Sequence, residues 1–465
     1  MSQDLALLSA VELVDLYRAR KLSPVEVTIA ALDRIARHNP RFNAFCLVDE
    51  EAALAAARAS EERWVKGRPL GRVDGVPASV KDLLITKGWP TLRGSKAVGP
   101  KQAWEEDAPT VARLREEGAV LLGKTTTPEF GWKGVTDSPL TGITRNPWDP
   151  SKTPGGSSGG AAVAAACGMG ALHLGTDGGG SIRIPAGFTG IVGLKQSFGR
   201  VPASPLSPFG TLAHIGPMTR TVADAALMLS VIAKPDVRDW YALPYDGRDY
   251  LEGLEDGVKG WRIAFSPALG GHHVEPEIAK LVASAATAFR DLGATVEEVD
   301  PDIGPDCATT FTNHWFPGAA NALRIFSAEQ KALMDPGLTE IAALGAKLPL
   351  MDYLAAVKDR EQLGVRMNRF HEKWDLLLTP TLPLAAFAVG VEVPVKSDGS
   401  HWPDWTPFTY PFNLTRQPAA TVPCGLTSAG LPAGLQIIGP SHGDVAVLRA
   451  ARAFEKLRPF KLPAI

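Results

Sequence analysis

Three short, largely apolar runs, Val76–Leu84, Ala119–Gly123 and Ala171–Thr176, constrain this chain more than any other feature of its sequence. A strand with one face in water alternates apolar and polar residues, whereas a near-continuous apolar run belongs to a strand buried on both faces. Helical patterns separate the three runs, at 109–117 and 159–167. Strands that alternate with helices fit an α/β fold, with a central sheet covered on both faces by α-helices.

The remaining segments fit that frame. Residues 1–68 form an N-terminal helical region, in which Ser23-Pro24-Val25-Glu26 reads as a capping box with proline in the first helical position. Beyond the core runs, Trp261–Ser266 and Ala294–Val299 are expected as strands flanking a helix at 276–292. Residues 338–374 are largely helical, within a helical insertion around 300–375. Strands at 375–379 and 434–438 precede a last helix at about 443–457. Neither a repeat nor a convincing linker interrupts the pattern, so residues 1–465 are read as a single domain. The polar exception is 134–160, a long Gly/Pro/Ser/Thr loop of the kind that is usually functional inside a compact domain.

Bulk properties exclude several function classes. Lys and Arg number 48 against 50 Asp and Glu, with no basic stripe, which argues against nucleic acid and acidic membrane surfaces as partners. The four cysteines, Cys46, Cys167, Cys307 and Cys424, lie far apart and form no zinc-ligand pair, so free thiols in a reducing compartment are expected. The N-terminus lacks a secretion signal, and Ala161–Cys167, the longest apolar block, is too short to span a bilayer. The expectation is a cytoplasmic protein acting on a small molecule, with no metal or cofactor.

Three segments carry chemistry. In Gly175–Gly187, GTDGGGSIRIPAG, an apolar run enters three glycines and then Ser181. Successive N–H groups in such a turn make a concave anion site. A serine beside it can attack a carbonyl while those donors hold the developing oxyanion. A tight turn with a capping serine is the plainer alternative. In Thr153–Gly160, TPGGSSGG, Ser157 and Ser158 stand before a small-residue helix, whose N-terminus favours developing negative charge, although simple N-capping is the commoner use of such serines. Lys81, between Val80 and Leu83, is odd for a surface lysine. Burial would lower its pKa and free a neutral amine as a base, and snorkelling from a strand end is the alternative.

Taken with GVPASVKD (75–82), GAVLLGKTTTPEF (118–130), NPWDPSKTPGGSSGG (146–160), LGTDGGGSIRIPAGFTGIVGLK (174–195) and PAATVPCGLTSAGLPAGLQIIG (418–439), these segments resemble the amidase signature family over nearly the whole chain. The resemblance implies a mixed central sheet and a triad in which Ser181 is acylated and Ser157, a cis-serine, bridges it to Lys81. Gly178, Gly179, Gly180 and Ser181 would supply the oxyanion hole, and Ser158 would orient the network. Asp177 and Arg183 would hold the loop in shape. Gly131 and Trp132 match a region lining the acyl pocket. The implied activity is hydrolysis of a small carboxylic amide to acid plus ammonia or amine, with a homodimer possible by family habit.

Other signals are weaker. Gly118–Thr125 fits G-x-x-x-x-G-K-[ST], but a phosphate loop follows a strand, and here those residues are themselves the strand. Gly155–Gly159 fits G-x-S-x-G, which would make Ser157 the nucleophile of an α/β-hydrolase esterase, yet 146–154 is polar and proline-rich and no downstream histidine is diagnostic. His272-His273 reads as a surface pair. Lys195-Gln196-Ser197 departs from the Lys-Pro-Thr of many family members. Residues 199–217 depart from the pattern of the tRNA-dependent glutamine amidotransferase; that alternative would make the chain a partner protein within a larger enzyme. An aromatic loop, Trp402, Trp405, Phe408, Tyr410 and Phe412, is expected either to close over an acyl group or to pack.

Overall fold

The structure is a computed structural model that describes residues 4–394 and 400–465. Among the described residues there are thirteen strands: β1 (Phe45–Val48), β2 (Pro77–Lys81), β3 (Val120–Thr125), β4 (Asp137–Ser138), β5 (Gly142–Ile143), β6 (Leu172–Asp177), β7 (Val192–Lys195), β8 (His214–Thr219), β9 (Arg262–Phe265), β10 (Thr295–Glu298), β11 (Leu376–Pro380), β12 (Ala419–Leu426) and β13 (Pro432–Ile438). Eleven of them form one sheet in the order β1-β3-β2-β6-β8-β7-β12-β13-β11-β9-β10, and β4 and β5 make a separate ribbon. The sheet is mixed. β2 runs parallel to β3 and to β6, β9 runs parallel to β10 and β11, and the central pairings from β6 through β13 to β11 are antiparallel.

The apolar runs became strands for the reason their composition gave. Every residue of β2 and β3 is buried, because helices cover both faces. On one face, Val222–Ile232, Pro276–Asp291 and Asp444–Leu457 pack into the larger core, with Ile232, Phe289 and Phe454 fully buried. On another, Gly159–Ala166 lies against the sheet with all eight residues buried. Its small side chains permit the approach: a Cβ on Gly160 would lie 2.4 Å from the Thr126 nitrogen. The capping box at Ser23 is present, with Pro24 opening a helix that runs to Phe42.

Residues Cys307–Leu323, Pro336–Ala346 and Leu350–Phe370 are helices, within the region expected as an insertion. They carry a second core of Phe311, Trp315, Leu338 and Ile341, into which Trp402, Phe408 and Phe412 pack. Six strands, β1, β4, β5, β7, β8 and β12, lie outside the segments expected to be strands; β4 and β5 fall in the stretch 134–160 read as a loop. No helix among the described residues is long and apolar enough to cross a membrane.

Candidate active site

In open α/β sheets, ligands collect at the carboxyl ends of the strands. That is where the chemistry-bearing residues meet. Lys81 ends β2, and Thr176 and Asp177 end the adjacent parallel β6, in register through Ala78–Leu172 and Val80–Leu174. The Lys81 side chain has no exposed surface. Its Nζ lies 2.7 Å from Ser157 Oγ, 2.8 Å from Ser158 Oγ and 2.8 Å from Thr176 Oγ1. Burial holds its ammonium form well below the usual lysine pKa, against the opposing pull of the Asp177 carboxylate. The snorkelling alternative is gone.

The hydrogen bonds around Ser158 give this cluster a direction. Ser158 Oγ accepts from the Thr176 N–H at 3.2 Å and lies 3.1 Å from the Thr176 carbonyl, to which its own O–H donates. Toward Lys81, therefore, Ser158 acts only as an acceptor. A neutral amine has two donors and one lone pair. One of its donors goes to Ser158, and the other donor and the lone pair are shared between Ser157 and Thr176. Ser158 precedes the helix Gly159–Ala166 but makes no side-chain cap, so the plain N-cap explanation does not hold for it.

Ser157 follows a cis peptide bond from Gly156. The Ser158 N–H donates to the Ser181 carbonyl at 3.1 Å, which ties the two serine segments together. Ser157, Thr176, Gly178 and Ser181 line one cavity of about 400 Å³, walled largely by apolar side chains such as Leu83, Phe130, Phe198, Phe209, Trp315 and Phe326.

The glycine loop is held from behind. Arg183 Nε and Nη2 each lie 2.9 Å from an Asp177 carboxylate oxygen, and the guanidinium also donates to the Thr409 carbonyl, Gln436 Oε1 and Asn413 Oδ1. Burial would raise the Asp177 pKa, but Arg183 outweighs it and keeps the carboxylate ionised. Asp177 Oδ1 also accepts the Gly180 N–H at 2.8 Å. The N–H of Gly180, expected in the oxyanion hole, thus donates to its own loop anchor. The N–H groups of Gly178, Gly179 and Ser181 have no hydrogen-bond partner among the described residues. Gly180 keeps a structural requirement: its φ of +128° is open to glycine, and a Cβ there would meet Thr409 Oγ1 at 2.4 Å.

Of the two residues expected in an acyl pocket, one lines the cavity. Gly131 does so at φ +71°, where a Cβ would meet Leu83 Cδ1 at 2.7 Å and Ser157 Oγ at 3.1 Å. Gly131→Ala is therefore expected to lower kcat/KM by about tenfold or more, through a strained backbone and a displaced Ser157. Steady-state kinetics against wild type checks this. Trp132 is fully buried instead, its Nε1 3.3 Å from Asp335 Oδ2, and it supports the wall from behind. The aromatic loop packs likewise: Trp402, Trp405, Phe408, Tyr410 and Phe412 are all buried away from the cavity lining.

Thr176 is the site residue that sequence reasoning missed. A fully protonated Lys81 donates to three hydroxyls, so Thr176→Val removes one acceptor from the charged form. The midpoint of the pH–rate profile is expected to shift to lower pH, with a loss of roughly tenfold at the plateau; kcat/KM measured across pH reads both.

The two rejected motifs fall as expected. Val120–Thr125 is strand, with Lys124 buried 3.3 Å from Asp82 Oδ1, and Ser157 follows loop rather than strand. Among the described residues, no group of His, Cys, Asp and Glu is placed to hold a metal ion.

The carboxyl edge of this α/β sheet thus joins a buried lysine to serine hydroxyls beside a glycine loop. The chain belongs to the Amidase family, whose model matches residues 26–448, and it hydrolyses amide C–N bonds. It is 39% identical to an acylamidase of Rhodococcus erythropolis, over 99% of this chain and 98% of that protein. It is 37% identical to a component of the glutamyl-tRNA(Gln) amidotransferase of Myxococcus xanthus, over 97% of this chain and 98% of that one. The solved structure of a bacterial aryl acylamidase of the amidase signature family superposes with a TM-score of 0.91 at 34% identity, covering 97% of this chain and 96% of that chain.

Proposed function

We propose that the chain hydrolyses a small aryl or short aliphatic amide through an acyl-enzyme on Ser181, with Lys81 as the base and Ser157 as the proton bridge. The observation that carries this reading is the fully buried Lys81 amine, 2.7 Å from Ser157 Oγ. As Ser181 Oγ attacks the carbonyl carbon, its proton passes to Ser157 and the Ser157 proton to Lys81. The N–H groups of Gly178, Gly179 and Ser181 face the developing oxyanion. The relay then returns a proton to the leaving nitrogen, which would otherwise depart as a very poor amide anion. Water deacylates the enzyme by the reverse route. Proton transfer of this kind is worth about 10²–10⁴-fold.

The apolar walls favour aryl and aliphatic groups over charged ones. Four unpaired cysteines support a reducing, cytoplasmic setting. A fluorophosphonate probe followed by peptide mapping tests the assignment: the label is expected on Ser181. A label on Ser157 would overturn it in favour of the esterase elbow.

A further inference from the structure

One cation on the wall of the cavity that holds Ser157 and Ser181 stands outside the proposed chemistry. Among the described residues, Arg93 and Asp239 are the charged side chains that line it. Asp239 is spent on backbone: its carboxylate accepts the Ala203 N–H at 2.9 Å and the Tyr241 N–H at 2.8 Å. Arg93 has no such partner. None of its side-chain nitrogens makes a hydrogen bond or ion pair among the described residues, and none is sealed from solvent.

The chain around Arg93 holds its guanidinium against the cavity wall. Cζ lies 5.9 Å from the centroid of the Phe130 ring, within cation–π range, and Phe130 lines the same cavity. The Phe130 N–H donates to the Arg93 carbonyl at 2.8 Å, and the two residues have left-handed backbone, with φ of +57° at Arg93 and +52° at Phe130. Non-glycine residues keep that conformation only where their surroundings impose it. Gly131, the next residue, faces Ser157, so one short turn carries both the wall beside the reacting serines and the ring against Arg93.

The local charges leave Arg93 without a counterion of its own. Asp82 is the carboxylate whose field reaches it, yet Asp82 is paired with Lys124 at 3.3 Å, so two cations share one anion. Arg93 is half-buried, and burial pushes its pKa down from the usual arginine value, although a guanidinium stays charged in water. Ile325, which is 81% exposed, and Phe326 share with Arg93 the border between the cavity and a neighbouring surface hollow, which places Arg93 at the open end. An anion bound there stays partly hydrated, while the apolar walls take the body of the substrate.

A guanidinium with free donors matches a carboxylate in shape as well as charge. We propose that Arg93 is a specificity-determining residue that binds a carboxylate at the open end of the cavity, so that the preferred amides carry a carboxylate separated from the scissile bond by an aryl or aliphatic body. This deepens the amidase reading and rests on it.

Matched pairs test it. Hexanamide against adipamic acid, in which a carboxylate replaces the terminal methyl, and benzamide against 3- and 4-carboxybenzamide place the charge on the acyl side. Acetanilide against 3- and 4-acetamidobenzoate places it on the leaving amine. At least one carboxylate-bearing member is expected to exceed its parent in kcat/KM by roughly tenfold or more, as a partly desolvated charge-assisted pair does. The pairs that respond show on which side of the amide bond Arg93 reads the charge. That ratio is expected to collapse to one or below in Arg93→Met, with Arg93→Gln deciding if Arg93→Met fails to fold. Ratios of no more than about threefold in every wild-type pair, the yield of a solvated ion pair, overturn the subsite and leave the amidase reading standing. A preference that survives in the substituted enzyme does the same. Hydrolysis of none of these amides or of any other in a broader panel would instead count against the amidase reading itself.

Discussion

Lys81→Met is expected to lower kcat/KM for amide hydrolysis by about 10²–10⁴-fold at neutral pH, the range that general acid–base transfer contributes. Methionine keeps much of the length and apolar volume of the side chain, so the buried slot at the end of β2 stays filled. What is lost is the amine that meets Ser157, Ser158 and Thr176. The wild-type pH profile carries the same claim. Only the uncharged amine acts as a base, so activity rises with pH through the depressed Lys81 pKa and levels above it, and the variant's residual activity lacks that rise.

Stability follows the same proton. Between the folded pKa and the unfolded value of 10.5, the unfolded chain holds a proton that the folded chain has released. Wild type therefore gains stability as pH rises across this window, and the contribution is lost as pH falls through the folded pKa. Lys81→Met lacks it, so the difference in Tm, wild type minus variant, is expected to grow with rising pH.

Ser181→Ala is expected to have the largest effect, a fall of about 10⁴-fold or more, because no covalent intermediate forms without its hydroxyl. The change is small in volume, and the loop around it is set by Asp177 and Arg183 rather than by the serine side chain. Purified variant should therefore fold with an unchanged Tm while losing turnover on a panel of amides that includes glutamine. This substitution also separates the two serines. An elbow nucleophile at Ser157 predicts that esterase activity survives in Ser181→Ala; the lysine relay predicts that ester and amide turnover vanish together.

The sequence made the buried part of the fold legible and its edges less so. β2, β3 and β6 announced themselves because both their faces are apolar, whereas β1 is a short edge strand with a half-exposed pattern between two helices. β8, HIGPMT, was obscured by a glycine and a proline inside the strand, residues that ordinarily argue against a central position. In the site, residue types marked Lys81, Ser157, Ser158 and Ser181 as candidates, because a lone lysine in an apolar run and serines beside glycines are conspicuous, and the family resemblance supplied their roles. Thr176 was not marked, since a threonine at the end of a strand is ordinary until a lysine from the neighbouring strand is seen against it. The Gly180 contact had a local signal in the sequence: an aspartate three residues upstream of a glycine is well placed to accept its N–H. Trp132 was misread because adjacent residues on a tight turn point in different directions, so the lining role of Gly131 did not extend to its neighbour.

Everything in this mechanism depends on an uncharged amine at position 81. A ¹³C titration of lysine-labelled enzyme, with Lys81 assigned by its disappearance in Lys81→Met, measures that state directly. The expected midpoint lies well below 10.5 and coincides with the midpoint of the pH–rate profile. A Lys81 that titrates with the surface lysines, at its ordinary value, would contradict the account.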